Sequence, residues 1–328
     1  MTTRLRVAIV IAILLTTPGP ALAAPQPNPA KPAAKPGVVK SPEKPPIPTL
    51  LLKPPAFAPP VVPGGVVENP CLASWYRPRQ ETRLQSAMIR PSDAPMVAAP
   101  TAPEAAYNYA AMIRADYGRL CYYRRDNAEI PAVPDPAKPR IIFFGASVTE
   151  QWKFGDKPLF DRVVDRGISG QTTAQGLLRF RQDVIDLNPA VVQILMGTND
   201  IAGNGGPTTY AAIENNIRTM AELARLHGIR VIIGSITPAR LFGWNTKLKP
   251  FPAQTIVAMN ARLRAMAARE GFVYADYHAV LADPDMGMKP ALSNDGVHPN
   301  KEGYALMRPI AEKAIAEALA GGGKAAER

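Results

Sequence analysis

From residue 138 onward the chain alternates short apolar runs with amphipathic stretches, and this alternation limits the folds open to it more than any other feature. Ile141 to Gly145, Val163-Val164, Val191 to Met196, Arg230 to Gly234 and Phe272 to Ala275 read as buried strands. Between and after them, Ala174 to Leu187, Thr209 to His227, Pro252 to Glu270 and Gly303 to Leu319 carry apolar residues three and four apart and read as helices. Strand, helix and strand in repetition predict a parallel sheet covered on both faces. The expected architecture is a three-layer α/β/α domain over residues 138–322, with a flavodoxin-like sheet of five strands.

The N-terminal third has a different character. Arg4 and Arg6 precede an apolar run from Val7 to Leu15, and Ala21-Leu22-Ala23 supplies a small-residue cleavage pattern. Residues 1–23 therefore read as a secretory signal peptide, and the expected location is periplasmic or secreted. The run is too short to cross a bilayer and no later segment reaches the necessary length, so no retained membrane span is expected. Fourteen of the 36 prolines lie between Pro25 and Pro63, where missing N–H groups and fixed φ oppose helix and sheet, so residues 24–66 read as a disordered linker. Its lysines (Lys31, Lys35, Lys40, Lys44 and Lys53) face only Glu43, which suits either a solvated spacer or a weak electrostatic association with an anionic cell envelope. The formal charge of +11 does not point to nucleic acid, because no recognition-fold signature accompanies it.

Residues 67–137 form an N-terminal extension with a predicted helix over Glu104 to Leu120. The only two cysteines, Cys71 and Cys121, fall in this extension, and export would let them form a disulfide; two separately buried thiols are the alternative. Neither belongs to a C-x-x-C pair, so zinc or thioredoxin-like chemistry has no support.

Three polar clusters follow the first three of these apolar runs, where open parallel sheets gather ligands, and a fourth precedes the last helix. They are Gly145-Ala146-Ser147-Val148-Thr149-Glu150, Gly167-Ile168-Ser169-Gly170-Gln171-Thr172-Thr173, Gly197-Thr198-Asn199-Asp200, and Ser293-Asn294-Asp295-Gly296-Val297-His298-Pro299-Asn300. In this order they resemble the conserved blocks of the SGNH hydrolase superfamily, the GDSL-type esterases and lipases. The resemblance covers residues 138–320 and departs at Ala146, where the family has aspartate before the nucleophile. It implies a carboxylic ester hydrolase with Ser147 as nucleophile and an oxyanion hole of the Ser147 and Gly170 N–H groups with the Asn199 side chain.

The residues themselves support this chemistry. A serine hydroxyl needs a base, and the chain offers His227, His278 and His298. His227 sits before Gly228 at a predicted helix end and His278 follows the fifth strand, where it could hydrogen-bond in place. His298 stands three residues after Asp295 on a loop bounded by Gly296 and Pro299, a spacing that lets the carboxylate orient the ring; a helix-capping turn at Asn300 is the plainer use of the cluster. Gly170 and Asn199 also suit ordinary turns, and Asp200 reads as structural. Thr149 replaces the second glycine of a G-x-S-x-G elbow, and neither a phosphate-binding loop nor a metal cluster is evident, so no cofactor or metal is expected. Trp152, Phe154, Phe242 and Trp244 are candidate pocket aromatics, with packing beside the loops as their commoner use. The substrates implied are short-chain acyl, lysophospholipid or O-acetyl carbohydrate esters. Acyl transfer to a carbohydrate and non-catalytic envelope binding are the alternatives.

Overall fold

A computed structural model describes residues 66, 69–71, 113–243 and 252–321; the expected signal peptide, the linker, most of the extension and Trp244 lie outside the described residues. The sheet has five strands, β1 (Ile141–Gly145), β2 (Val163–Gly167), β3 (Val191–Leu195), β4 (Arg230–Gly234) and β5 (Val273–Ala275), all parallel and in the order β2-β1-β3-β4-β5. This is the flavodoxin-like order, with the topological switch point beside β1. The helices are α1 (Arg124–Ala128), α2 (Ser147–Gly155), α3 (Lys157–Phe160), α4 (Thr173–Asp183), α5 (Thr198–Ile201), α6 (Tyr210–Leu226), α7 (Pro252–Glu270), α8 (Tyr277–Leu281) and α9 (Lys301–Leu319).

Period-two alternation along β1 and β3 sends side chains into two separate cores. Ile142, Phe144, Val192 and Ile194 meet α4, α6 and α7 on one face, through Phe180, Ile217, Met220, Ile256, Met259 and Leu263. Ile141, Phe143, Val191 and Leu195 meet α2, α8 and α9 on the other, through Trp152, Tyr277, Tyr304 and Met307. Each such side chain contributes about 1.5–3 kcal/mol by leaving water, so a strand apolar on both sides is stable only between two helical layers.

Three local expectations are corrected. β2 continues past Val164 because Asp165 and Arg166 are buried with partners: Asp165 accepts from the Gly167 N–H at 2.8 Å, and Arg166 donates to Asn127 at 2.8 Å and lies over the Tyr123 ring. Burial pushes the Arg166 guanidinium below its ordinary pKa. The helix expected to reach Leu120 ends at Ala115, because the Asp116 carboxylate accepts from the N–H groups of Leu120 (2.7 Å) and Cys121 (2.9 Å) and closes a turn. The stretch expected as one helix to Leu187 is divided at Val184 into α4 and a short 3-10 turn, Ile185–Leu187, closed by Asn188 in the left-handed conformation. Helix α2, whose polar start hides its periodicity, has no counterpart among the expected helices.

Cys71 and Cys121 form a disulfide. The segment around Cys121 packs on the domain: Gln171 donates to Gly118 O at 3.0 Å, Gln175 to Tyr117 O at 3.1 Å and Gln182 to Leu120 O at 2.7 Å. Among the described residues no helix is long and apolar enough to cross a membrane.

Candidate active site

Strand register brings three of the four polar clusters side by side: Gly145 pairs with Gly167 on one side and with Leu195 on the other, so the loops after β1, β2 and β3 leave the sheet together. Ser147 is the first residue of α2, and its N–H therefore has no acceptor within the helix and lies at the positive end of the helix dipole. The helix passes close over the end of β2. A Cβ on Gly167 would stand 2.2 Å from the Glu150 nitrogen, so only glycine admits this approach.

The fourth cluster reaches the same edge from the loop before α9. His298 Nε2 lies 2.8 Å from Ser147 Oγ, and His298 Nδ1 lies 2.6 Å from Asp295 Oδ2. The other carboxylate oxygen accepts from the N–H groups of Val297 (2.9 Å) and His298 (2.8 Å) and from Ser293 Oγ (3.1 Å), with Gly296 at φ +77° making the turn. Burial alone would raise the Asp295 pKa; the hydrogen bond and charge of His298, with the two backbone N–H groups, outweigh it and hold the carboxyl well below the usual carboxylate range. Asn300 caps α9 by accepting from Gly303 N–H at 3.0 Å, so the cluster both starts a helix and orients an imidazole. From α9, Tyr304 OH donates to Val148 O at 2.9 Å and ties that helix to α2 beside Ser147.

Gly170 takes φ +80° in the loop after β2, which ends at a capping box: Thr172 accepts from Gln175 N–H while Gln175 accepts from Thr172 N–H. Asn199, buried in α5, donates Nδ2 to Gln171 O at 3.0 Å. Asn204 Nδ2 approaches Asn199 Oδ1 at 2.8 Å and Gly170 O at 3.3 Å. Asp200 accepts from Thr173 N–H (2.9 Å) and Thr173 Oγ1 (2.6 Å), a structural contact; burial raises its pKa against these bonds. The structure thus brings Ser147, Asp295 and His298 into one hydrogen-bonded line, with Gly170 and Asn199 joined through Asn204.

Two supporting residues escape sequence reasoning. Arg179 is fully buried and donates to Gly145 O (2.9 Å), Arg166 O (3.0 Å), Gln171 Oε1 (2.6 Å) and Asp183 Oδ2 (2.9 Å), clamping the ends of β1 and β2 to the loop carrying Gly170. Ala146 has no carboxylate, but Glu150, one helical turn beyond Ser147, accepts from Ser169 N–H at 2.8 Å, from Ser169 Oγ and from Tyr122 OH. Helix α2 is thereby joined to the residue before Gly170. The S/T-x-x-Q signature marks the helix start at Thr172, whereas nothing in an amphipathic pattern marks Arg179 as buried.

Of the candidate aromatics, the two described side chains take the packing role. Trp152 is fully buried, stacked on Tyr304 at 5.6 Å between ring centroids and edge-on to Tyr277 at 5.3 Å, and Phe242 belongs to the opposite core. Both are packing residues; the Phe154 side chain and Trp244 lie outside the described residues. His227 is exposed at the C-cap of α6. His278 is buried; its N–H donates to Ser235 Oγ at 2.9 Å, and among the described residues its Nε2 has no partner; burial lowers its pKa, opposed by Asp276.

Residues 143–306 match the model of the GDSL-like Lipase/Acylhydrolase family. Esterase TesA of Pseudomonas aeruginosa is 30% identical over 149 residues, which span 45% of this chain and 67% of that protein. The uncharacterized lipoprotein YqeF of Bacillus subtilis is 31% identical over 117 residues, 30% of this chain and 48% of its own length, so the chain spans about half of that relative. Among solved structures, a GDSL-like lipase from Bacteroides thetaiotaomicron is similar at 37% identity and a TM-score of 0.60, covering 62% of this chain and 100% of that one.

Proposed function

The chain belongs to the GDSL-like lipase/acylhydrolase family, and from that premise we propose that it is a serine esterase acting through Ser147, His298 and Asp295. One observation carries the proposal: His298 Nε2 is within hydrogen-bond reach of Ser147 Oγ while Asp295 holds Nδ1, the relation that a nucleophile, a base and an orienting carboxylate need. Ser147 Oγ attacks the ester carbonyl carbon as its proton passes to His298 Nε2. Negative charge on the carbonyl oxygen is met by the N–H groups of Ser147 and Gly170 and by Asn199 Nδ2, donors worth about 2.7–4 kcal/mol each when fixed in place. Collapse of this intermediate expels the alcohol, protonated by His298. Water, deprotonated by the same ring, then attacks the acyl-Ser147 and releases the acid. Asp295 stays ionised throughout, in keeping with its depressed pKa.

The substrates are carboxylic esters in the range of short-chain acyl, lysophospholipid and O-acetyl carbohydrate esters. Ser147 and Gly170 are half-buried, with Ser169 and Asn204 exposed beside them, and this openness to water favours hydrolysis over transfer to a sugar. Residues 1–23 act as a signal peptide and 24–66 as a linker, so the enzyme works outside the cytoplasm; the Cys71–Cys121 disulfide suits such a compartment, and the relative YqeF is described as a lipoprotein.

The test is turnover of p-nitrophenyl acetate and longer acyl homologues by the purified protein beside Ser147→Ala and His298→Ala. The expected result is a fall in kcat of about 10⁴-fold or more in both variants. A wild-type rate no higher than that of the variants contradicts the proposal.

A further inference from the structure

We propose that Asn204 is a positioning residue that fixes two oxyanion donors, the Asn199 carboxamide and the Gly170 peptide, in one arrangement; the proposal rests on the oxyanion role assigned above. A carboxamide has two ends of nearly equal size and opposite hydrogen-bonding character, so burying Asn199 does not by itself decide which end faces the reacting carbonyl. Two contacts decide it. Nδ2 donates to Gln171 O at 3.0 Å, and Oδ1 accepts from Asn204 Nδ2 at 2.8 Å. Reversing the amide would set donor against donor at Asn204 and acceptor against acceptor at Gln171. In the observed orientation Nδ2 has one hydrogen committed to Gln171 and one left for the oxyanion.

Asn204 holds Asn199 a second time through its backbone, whose N–H donates to Asn199 O at 3.0 Å. The remaining hydrogen of Asn204 Nδ2 points to Gly170 O, at 3.3 Å, so one side chain spans the loops after β2 and β3. Its setting shows that the contacts serve position: Asn204 is exposed and flanked by Gly203, Gly205 and Gly206, with Gly203 and Gly206 at positive φ. Besides the close approach of Gly205 to the Thr172 side chain, hydrogen bonds hold this segment in register with the oxyanion loop.

The experiment measures kcat and KM for p-nitrophenyl acetate with Ser147→Ala, Asn199→Ala, Asn204→Ala, Asn204→Asp and the Asn199→Ala/Asn204→Ala double variant, with thermal midpoints for each. Asn204→Ala is expected to lower kcat about 10–100-fold with KM within about threefold, since the donor acts on the transition state and not on substrate binding. Asn204→Asp is expected to cost at least as much, because a carboxylate accepts from Asn199 Nδ2 and draws the amide into reverse. It keeps the shape of the side chain, so it decides the matter should the alanine variant unfold. In the Asn199→Ala background, Asn204→Ala is expected to cost less than about threefold, the residue of the long Gly170 contact. Equal losses in both backgrounds, or wild-type kcat in Asn204→Ala and Asn204→Asp, overturn the proposal while leaving the esterase intact. Wild-type kcat in Asn199→Ala with Ser147→Ala inactive removes Asn199 from the oxyanion hole and this proposal with it; activity in Ser147→Ala overturns the esterase mechanism itself.

Discussion

The loop that carries His298 and the clamp that carries the Ser147 turn reach the same site by different means. Within residues 293–300, Asp295, Ser293 and the N–H groups of Val297 and His298 are held by bonds spanning two or three residues. Arg179 instead joins backbone and side-chain groups 8, 13 and 34 residues away, with no solvent access. Orientation of the proposed base is thus a local property of eight residues, while the spacing between Ser147 and the Gly170 loop belongs to the whole folded domain. Substitutions in the first region should act on chemistry, and substitutions in the second on stability.

The sharpest test of that division is Asp295→Asn. It keeps the shape of the loop but offers His298 the wrong partner, and kcat is expected to fall about 10⁴-fold. Unfolding free energy near neutral pH should fall by about 1.5–3 kcal/mol, less than for the buried clamp, as measured by urea titration. The folded Asp295 pKa lies below its unfolded value of about 3.9. Its stabilisation is therefore complete above the unfolded value and lost as pH falls from about 4 toward the folded one, a slope that Asp295→Asn should flatten. Arg179→Met should do the converse. It removes the ion-pair partner of the fully buried Asp183 and leaves only the hydrogen bonds from Asn127 and Gln182, at an expected cost of about 3–5 kcal/mol. Stability unchanged in that variant would break the comparison.

Replacing Cys71 and Cys121 with alanine should lower stability by about 2–4 kcal/mol, since a 50-residue loop is released, with a matching drop in Tm. Smallest is Glu150→Gln, which keeps the contacts to Ser169 in altered form. A loss of about 1–2 kcal/mol and less than about tenfold in kcat is expected, and a larger kcat loss would move Glu150 from supporting the loop to shaping the chemistry.

The same division explains what can be read in the chain. The strands β1 and β4 and helix α7 fall on the expected residues because continuous apolar runs and three-four spacing report burial directly. The Asp295-Gly296-Val297-His298 cluster is legible because its interactions are short in sequence. Arg179 and Glu150 are not, since the partners that define them are brought together only by the parallel sheet; Asn204 lies five residues from Asn199, but its link to Gly170 exists only in the folded domain. For Trp152 the sequence leaves pocket and packing both open, because the α8 and α9 rings that cover it are remote in sequence.

The most direct test of the central claim is to treat the wild-type protein and His298→Ala with a fluorophosphonate and map the adduct by peptide mass spectrometry. One adduct per chain is expected, on Ser147 and dependent on His298; an unlabelled wild type, or an adduct on another residue, overturns the assignment of Ser147 and His298.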